Sequence, residues 1–318
     1  QRPGANPINL WTTFRYFDSL QKTIQPDCVI STGGHGYWKP KGIPVVGGFN
    51  IPHYIYPESP YFNGMTFKKR LYWKLMRTFH FYFYKRLDTI FVQTDDVNNR
   101  LQKIVPRSLP IVTISNTVNA VFYSPKTVAK QLPEPKLNEI RLLTLSSYYP
   151  HKNIAILKKV IPLLQQQTAF DFKFVLTLEP EKYNELFTSE EQEHIYNVGK
   201  VPIDACPGLY AEVDFLFLPT LLECFSASYA EAMLMQKPIL TSDLPFAHTV
   251  CKDAALYFDP MNPELIAQKI VALATDEMLQ NELIARGNEV VTQIPSAANR
   301  AERFLELCKS TLAHKKNA

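Results

Sequence analysis

One stretch in the second half of the chain limits the fold more than any other. A short apolar run, Phe215 to Leu218, ends at Pro219, and a helical pattern begins at about Ser228 and stops before Pro238. A second apolar run, Ile239 to Thr241, follows directly. Strand, loop, helix and strand in this order form a βαβ unit, whose two strands are parallel. The stretch therefore predicts an α/β protein with a parallel sheet.

Two carboxylates lie eight positions apart in this unit, Glu223 in the loop and Glu231 in the helix. The loop brings backbone N–H groups to a helix N-terminus, where unpaired donors and the helix dipole favour an anion such as a phosphate. Mostly apolar neighbours surround Glu231, so the helix should be buried, and an unpartnered carboxylate there would cost several kcal/mol. An ion pair, a helix cap or a hydroxyl-rich ligand would each satisfy it.

The spacing of these glutamates, followed by AMLMQKPILTSD, resembles the donor-site signature of family 4 (group 1) glycosyltransferases. The resemblance implies the GT-B fold, in which two Rossmann-like, doubly wound parallel-sheet domains face a cleft. It also implies that the first glutamate reaches the transferred sugar and that the second holds the nucleotide ribose. These roles would fall to Glu223 and Glu231.

Length and composition agree with two domains of ordinary size in a chain of 318 residues. No apolar run approaches the roughly 18 residues of a transmembrane helix, and the first residues do not resemble a signal peptide. The five cysteines are scattered without a C-x-x-C motif, which argues against a disulfide framework or a structural zinc site. We therefore expect a cytoplasmic protein. A net charge of +4 without a recognition motif argues against nucleic-acid binding.

The resemblance also divides the chain. Residues 1–125 would be an acceptor-side Rossmann-like domain, 126–139 a polar linker, and 140–295 the nucleotide-sugar donor domain. Residues 296–318 would form a helix that crosses back to the first domain. The family's first domain normally opens with a further strand and a glycine-rich loop, so we expect this one to be incomplete, by truncation or by real loss. A helix from Glu277 to Arg286 should end at Gly287.

A second part of the donor site is implied in the loop after the first strand of the donor domain. In the family, a glycine and an arginine follow this strand, and a lysine comes five residues after the arginine. Lys152 matches the lysine, whereas Ser146 and Ser147 replace the other two. Lys152 would then be the main cation on the leaving diphosphate, with His151 as a further donor. The alternative is a solvated loop lysine.

The glycines that usually follow the first glutamate are also replaced. Cys224, Phe225 and Ser226 occupy this part of the donor loop, which leaves the donor sugar and its nucleotide, UDP or GDP, open. Cys224 fits a packing role better than a nucleophilic one, because no histidine lies near it in the sequence to generate a thiolate. The family mechanism implies no cofactor and no obligatory metal.

On the acceptor side, the glycines in Thr32 to Gly36 either bring backbone close to a ligand or form an ordinary turn. In the family, a histidine at the end of the next strand often lies beside the reacting sugar. That register falls on Asn50, with His53 three residues later. The acceptor-side candidates are therefore Gly34, His35, Asn50 and His53, and His53 is either catalytic or structural.

The segment from Phe67 to Leu87 combines aromatic and basic residues with helical spacing. The apolar positions on one side of a helical wheel are Tyr72, Met76, Phe79, Phe83 and Leu87. The cations on roughly the opposite side are Arg70, Lys74, Arg77 and Lys85. Either the apolar side faces the core and the cations are solvated, or the cationic side, bordered by Trp73 and Tyr84, docks on anionic lipid headgroups.

The resemblance implies a retaining, metal-independent glycosyltransferase of the hexosyltransferase type. It would move a sugar from a nucleotide sugar to a glycan or lipid-linked glycan in cell-surface polysaccharide biosynthesis, at the inner face of the membrane. Glu223, Lys152 and His53 would be its catalytic residues. Two other classes remain open: a nucleotide-sugar epimerase of the same architecture, and a degenerate protein that binds nucleotide sugar or glycan without turnover.

Overall fold

The structure is a computed structural model that describes residues 7–34, 36–126, 129–167 and 170–316. The chain divides into two compact units. The first contains the residues up to Ile55, Gly64–Ser115 and those from Ala298 onward, and the second contains Tyr56–Asn63 and Asn116–Ala297. The division thus differs from the boundaries suggested by the sequence, because residues 56–63 and 116–125 make their contacts within the second unit.

Strands and helices alternate along the described residues. The strands are β1 (Val29–Ser31), β2 (Val45–Gly48), β3 (Thr89–Val92), β4 (Ile111–Thr113), β5 (Glu139–Thr144), β6 (Asp171–Leu176), β7 (Ile195–Asn197), β8 (Phe215–Leu218), β9 (Ile239–Ser242) and β10 (Leu256–Phe258). The helices are α1 (Pro7–Ile24), α2 (Phe67–Tyr84), α3 (Asp95–Gln102), α4 (Leu157–Gln167), α5 (Pro180–Leu186), α6 (Ser189–Gln192), α7 (Cys206–Ala211), α8 (Ala227–Leu234), α9 (Pro245–Cys251), α10 (Pro263–Thr275), α11 (Glu277–Val291) and α12 (Ala297–Lys316).

The first unit is built on a parallel sheet with the strand order β1-β2-β3-β4. Helix α12 packs on this sheet, because its residue Leu307 shares a buried cluster with Val46, Phe91 and Ile114. The C-terminal helix therefore lies in the first unit, although the chain reaches it from the second.

The second unit contains a parallel sheet with the order β10-β9-β8-β5-β6-β7. Strand β8 is buried along its whole length, as its uninterrupted apolar sequence requires when helices cover both faces of a sheet. The order runs outward in both directions from β5 and β8, so the chain switches direction between these two strands. In open α/β sheets, ligands bind at such a switch point, beyond the carboxyl ends of the strands. The loops after β5 and β8 meet that description.

Helix α8, the helix of the βαβ unit, is buried nearly all round as expected. The sequence predicted that a helix would end at Gly287. This prediction is wrong, because α11 continues to Val291. The reason is packing. Gly287 lies against Met233 of α8, and an added Cβ would come within 3.2 Å of the Met233 Cγ atom. Glycine therefore allows α11 to approach α8 closely.

Candidate functional site

The loops that follow β5 and β8 are joined by an ion pair. The ammonium of Lys152 contacts the Oε1 atom of Glu223, and the two side chains are only 18% and 13% exposed. The hydroxyl of Thr220 donates to the same carboxylate oxygen at 3.3 Å. Lys152 is therefore not the solvated loop lysine that the sequence left as an alternative. It lies within the site and neutralises the glutamate.

Backbone contacts hold the two loops in register. The Leu221 N–H donates to the His151 carbonyl at 2.7 Å, and the Thr220 hydroxyl oxygen also lies 3.2 Å from that carbonyl. After Lys152 the chain turns at Asn153 in the left-handed conformation (φ 55°, ψ 25°), which asparagine tolerates better than most residues. The side-chain amide of Asn153 then donates to the Pro260 carbonyl at 2.9 Å. Hydrogen bonds of the residues on both sides of Lys152 therefore fix the loop that carries it.

Residues 56–63 complete this region, although they lie far away in the sequence. The buried hydroxyl of Ser59 donates to the Leu221 carbonyl at 2.7 Å. The ring of Tyr61 meets His151 edge-on, with centroids 6.1 Å apart, and His151 stacks on Tyr149 at 5.5 Å. His151 therefore lies in an aromatic cluster beside the ion pair. Nothing local in the sequence indicated the contributions of Ser59 and Tyr61.

The two serines that replace the family's glycine and arginine differ in their surroundings. The Ser146 N–H donates to the Thr177 hydroxyl at 3.0 Å, and the Ser146 hydroxyl donates to the Ser147 carbonyl at 2.8 Å. Ser147 itself is exposed. This part of the loop therefore offers small polar groups where an arginine would supply charge.

The chain between Glu223 and α8 is short and largely covered. Cys224 and Ser226 are buried, and Phe225 is half-buried. Ser226 precedes the first turn of α8, but its side chain caps none of the N–H groups there.

Glu231 projects from the buried helix α8 and is 7% exposed. Its partner in the structure is the Tyr210 hydroxyl, which donates to the Glu231 Oε2 atom at 3.1 Å. Burial raises the pKa of this carboxyl, and the hydrogen bond from Tyr210 partly offsets the rise. The partner is therefore a buried phenol, where the sequence had suggested an ion pair, a helix cap or a ligand.

This geometry coincides with a family match. Residues 139–276, which contain both loops and α8, match the family model described as glycosyl transferases group 1. This part of the chain is therefore similar to group 1 glycosyl transferases. The same range covers Lys152, Glu223 and Glu231, and the family resemblance had selected these three residues from sequence.

A curated relative points the same way. The O-antigen chain mannosyltransferase B of Escherichia coli is 26% identical over 174 residues, which are 52% of this chain and 46% of that protein. The match thus spans less than half of the relative's length.

Solved structures show that the fold resemblance extends beyond residues 139–276. Sucrose-phosphate synthase from Thermosynechococcus elongatus superposes with a TM-score of 0.74 at 15% identity, over 96% of this chain and 79% of that one. A mutant of S. aureus TarM, solved with fondaparinux, alpha-GlcNAc-glycerol and UDP, gives 0.66 at 17% identity, over 91% of this chain and 57% of that one. The architecture is therefore the GT-B fold.

The acceptor-side candidates lie outside residues 139–276, the range that matches the family model. Asn50 is exposed just after β2, and the backbone at Gly34 has room around it, since an added Cβ would meet only a side-chain oxygen at 3.6 Å. His53 stacks on Trp73 with centroids 4.3 Å apart, and burial lowers the pKa of His53 to about 4, so its ring is neutral at neutral pH. His35 lies outside the described residues.

Only part of the apolar side suggested for α2 by the helical wheel faces the core: Met76 and Phe83 are half-buried and Leu87 is buried. Tyr72 and Phe79, assigned to the apolar side, are 56% and 51% exposed, whereas Phe81 and Tyr84 are buried. Tyr84 consequently does not border a surface. The hydroxyl of Tyr54 pairs with the His80 Nδ1 atom at 2.6 Å, which fixes the inward side of the helix.

The outward side of α2, here called the α2 outer face, mixes apolar and basic residues. Its exposed apolar side chains are Phe67, Leu71, Tyr72, Leu75, Phe79 and Tyr82. The four cations singled out in the sequence, Arg70, Lys74, Arg77 and Lys85, are also exposed. Within the described parts of the chain, no helix is both long enough and apolar enough to cross a bilayer.

Proposed function

We propose that this chain is a retaining glycosyltransferase. It would transfer a hexose from a UDP- or GDP-linked donor to a glycan or lipid-linked glycan during cell-surface polysaccharide synthesis. The observation that carries the proposal is the ion pair between Lys152 and Glu223 at the sheet's switch point, within the range that matches group 1 glycosyl transferases. The buried Glu231 follows on the next helix. The names of the relatives, an O-antigen mannosyltransferase and a UDP-bound TarM, agree with a nucleotide-sugar donor and a glycan product.

The ion pair suggests how the donor would be activated. In the structure Lys152 and Glu223 neutralise each other. A donor diphosphate would compete for Lys152, whose compact ammonium would offset the charge that develops on the leaving group. Glu223, released from the lysine, would accept hydrogen bonds from the sugar hydroxyls. The proposal therefore requires no metal ion for charge neutralisation.

Retention of configuration would follow from positioning rather than from a protein nucleophile. The sugar would pass through an oxocarbenium-like state on one face, and the departing phosphate oxygen would take the proton of the acceptor hydroxyl. Glu231 would anchor the nucleotide, since an ionised carboxylate accepts two ribose hydroxyls in charge-assisted hydrogen bonds.

A panel of nucleotide sugars tests this proposal against its alternatives. Calorimetry with UDP-, GDP- and ADP-sugars identifies the donor, and a turnover assay with and without glycan acceptors follows. A transferase forms glycoside only with acceptor, an epimerase releases a converted nucleotide sugar without acceptor, and a degenerate protein binds but does not turn over. Lys152→Met should lower turnover by about 100-fold or more, and Lys158→Met, a change of the same kind at an exposed lysine, should not. Failure of every donor to bind would overturn the proposal.

We also propose that the α2 outer face binds anionic lipid and thereby brings the enzyme to a lipid-linked acceptor. No aspartate or glutamate interrupts residues 67–87, which carry the four cations together with Lys68, Lys69 and Arg86. Exposed aromatic side chains among these cations suit the interfacial region of a bilayer. Each cation near an anionic surface contributes about 1 kcal/mol, so four are sufficient for reversible, salt-sensitive binding.

Vesicle co-sedimentation tests the membrane proposal. The protein should sediment with anionic vesicles at low salt and not with neutral ones, and changing the four cations to glutamate should abolish this. The matched control changes four exposed lysines of other segments to glutamate, which alters the net charge equally. These lysines are Lys103, Lys158, Lys159 and Lys309. Equal recovery on both vesicle types, or equal loss in the control, would contradict the proposal and favour a solvated helix face.

A further inference from the structure

Tyr210 of α7 is fully buried and is assigned no role by the family match. Besides its bond to the Glu231 carboxylate, the hydroxyl lies 3.3 Å from the Ser228 carbonyl, one turn earlier on α8. The ring of Phe122 packs edge-on against the Tyr210 ring, with centroids 5.8 Å apart. A single hydroxyl, held by a rigid ring, therefore contacts both the backbone and the carboxylate of α8.

We propose that Tyr210 is a positioning residue that holds the Glu231 carboxylate ready to accept hydrogen bonds from the ribose of a nucleotide. This inference rests on the proposed function, because the ribose belongs to the nucleotide-sugar donor. A carboxylate has about four acceptor positions, so one phenol leaves capacity for two ribose hydroxyls. The phenol also restricts the carboxylate to one orientation before the ligand arrives, which lowers the cost of ordering it.

The electrostatics of the site explain why such a donor is needed. Burial favours the neutral form of Glu231, which would present an O–H donor to the ribose, whereas donation by Tyr210 favours the charged acceptor form. Cys206, the other titratable group that interacts with Glu231, has a pKa raised by burial to about 11, so its thiol adds no charge near neutral pH.

The helices packed against α8 carry further ionisable residues. These are His248 and Cys251 on α9 and Glu277, Glu282, Arg286 and Glu289 on α11. None of them contributes to the pKa shift of Glu231. Within the described part of the chain, the phenol of Tyr210 is therefore the group that opposes the effect of burial.

Tyr210→Phe tests the proposal, because it keeps the ring and its packing and removes only the hydroxyl. Calorimetric titration with UDP and with GDP would be repeated between pH 5 and pH 9. The affinity should fall as the pH drops through the pKa of Glu231, because only the ionised form accepts both hydroxyls. In Tyr210→Phe we expect roughly tenfold or weaker binding at neutral pH, and the fall should occur at a higher pH.

Two control variants test whether the effect of Tyr210→Phe depends on the hydrogen bond to Glu231. Tyr183→Phe removes a tyrosine hydroxyl that donates to the Ile195 carbonyl in the same unit, and it should change neither affinity nor pH profile. In a Glu231→Gln background, which has no titrating carboxyl, Tyr210→Phe should no longer move the pH profile. An unchanged affinity and pH midpoint in Tyr210→Phe, or an equal shift in the Glu231→Gln background, would overturn the proposal.

Unfolding without ligand separates this inference from the proposed function. The hydroxyl donates a stronger hydrogen bond to the charged carboxylate than to the neutral carboxyl, so the stability lost in Tyr210→Phe should grow as the pH rises through the pKa of Glu231. It should stay constant in the Glu231→Gln background. If the wild type bound neither nucleotide, the proposed function and the ribose role would both fail, whereas the unfolding data would still show whether Tyr210 holds the carboxylate. A loss of stability in Tyr210→Phe that does not change with pH would contradict the positioning of the Glu231 carboxylate by Tyr210 as well.

Discussion

Replacing Lys152 by methionine should destabilise the second unit, because it leaves the Glu223 carboxylate without its cation. Two unit charges about 4 Å apart attract each other by about 4 kcal/mol at an effective dielectric constant of 20. Desolvation offsets part of this energy. Breaking a buried pair costs about 3–5 kcal/mol, and exposed pairs contribute less than about 1 kcal/mol. Both side chains here are less than one-fifth exposed, so we expect a loss of about 2 kcal/mol.

The double variant Lys152→Met/Glu223→Gln separates the ion pair from other effects. Glutamine keeps the shape of the glutamate and can still accept from the Thr220 hydroxyl, but it carries no charge that needs a partner. Most of the lost stability should therefore return, which corresponds to a coupling energy of about 1.5 kcal/mol or more between the two positions.

Turnover should behave differently from stability. If Lys152 offsets charge on the leaving diphosphate, kcat should fall about 10²- to 10³-fold in Lys152→Met, with a smaller change in KM, because the extra charge exists mainly in the transition state. The double variant should not recover activity, since neither change restores the cation.

Urea unfolding and steady-state kinetics measure these quantities. The chain contains two units, so the transition of the second unit should be followed separately rather than as one two-state step. A coupling energy below about 0.5 kcal/mol would refute the structural part of the reasoning. An effect confined to KM would reduce Lys152 to a binding residue.

Two further changes test other parts of the structure. Ser59→Ala should lower kcat several-fold, because the Ser59 hydroxyl fixes the Leu221 carbonyl in the loop that carries Glu223. The control Thr311→Ala removes a buried hydroxyl in the first unit and should leave kcat unchanged. Equal kcat values in the two variants would refute the role of Ser59 in positioning this loop. His53→Phe preserves the stacking on Trp73 but removes the titrating ring. The wild type should lose stability as the pH falls from about 6.5 towards 4, because His53 binds a proton in that range only in the unfolded state. The variant should lose less stability over the same range, as measured by unfolding followed by circular dichroism. Equal losses would contradict the assignment.

The features that could be predicted from sequence depend on local patterns. The apolar runs around Pro219 and Pro238 and the helical spacing between them are local properties, and they were sufficient for a βαβ unit and a parallel sheet. The burial of Glu231 followed in the same way from its immediate neighbours.

The features that could not be predicted depend on contacts between distant residues. Tyr210 and Glu231 are 21 positions apart, and Ser59 and Leu221 are 162 apart, so their hydrogen bonds exist only once the chain has folded. The short helices α5, α6 and α9, of seven residues or fewer, are too brief to show a helical period.

Helix α2 illustrates a different difficulty. Five of the six residues from Phe79 to Tyr84 are aromatic and the sixth is a histidine, so a helical wheel offers apolar residues on every side. The inward face was decided by tertiary contacts, among them the pairing of Tyr54 with His80. A pattern without contrast between its faces cannot indicate which face is buried.

A crystal structure of the protein with bound UDP or GDP tests the central claim most directly. The account predicts ribose hydroxyls within about 3 Å of the Glu231 carboxylate and a diphosphate oxygen at a similar distance from the Lys152 ammonium. Glu223 should then have separated from Lys152. A nucleotide whose ribose lies away from Glu231, or whose diphosphate leaves the ion pair between Lys152 and Glu223 intact, would contradict the account.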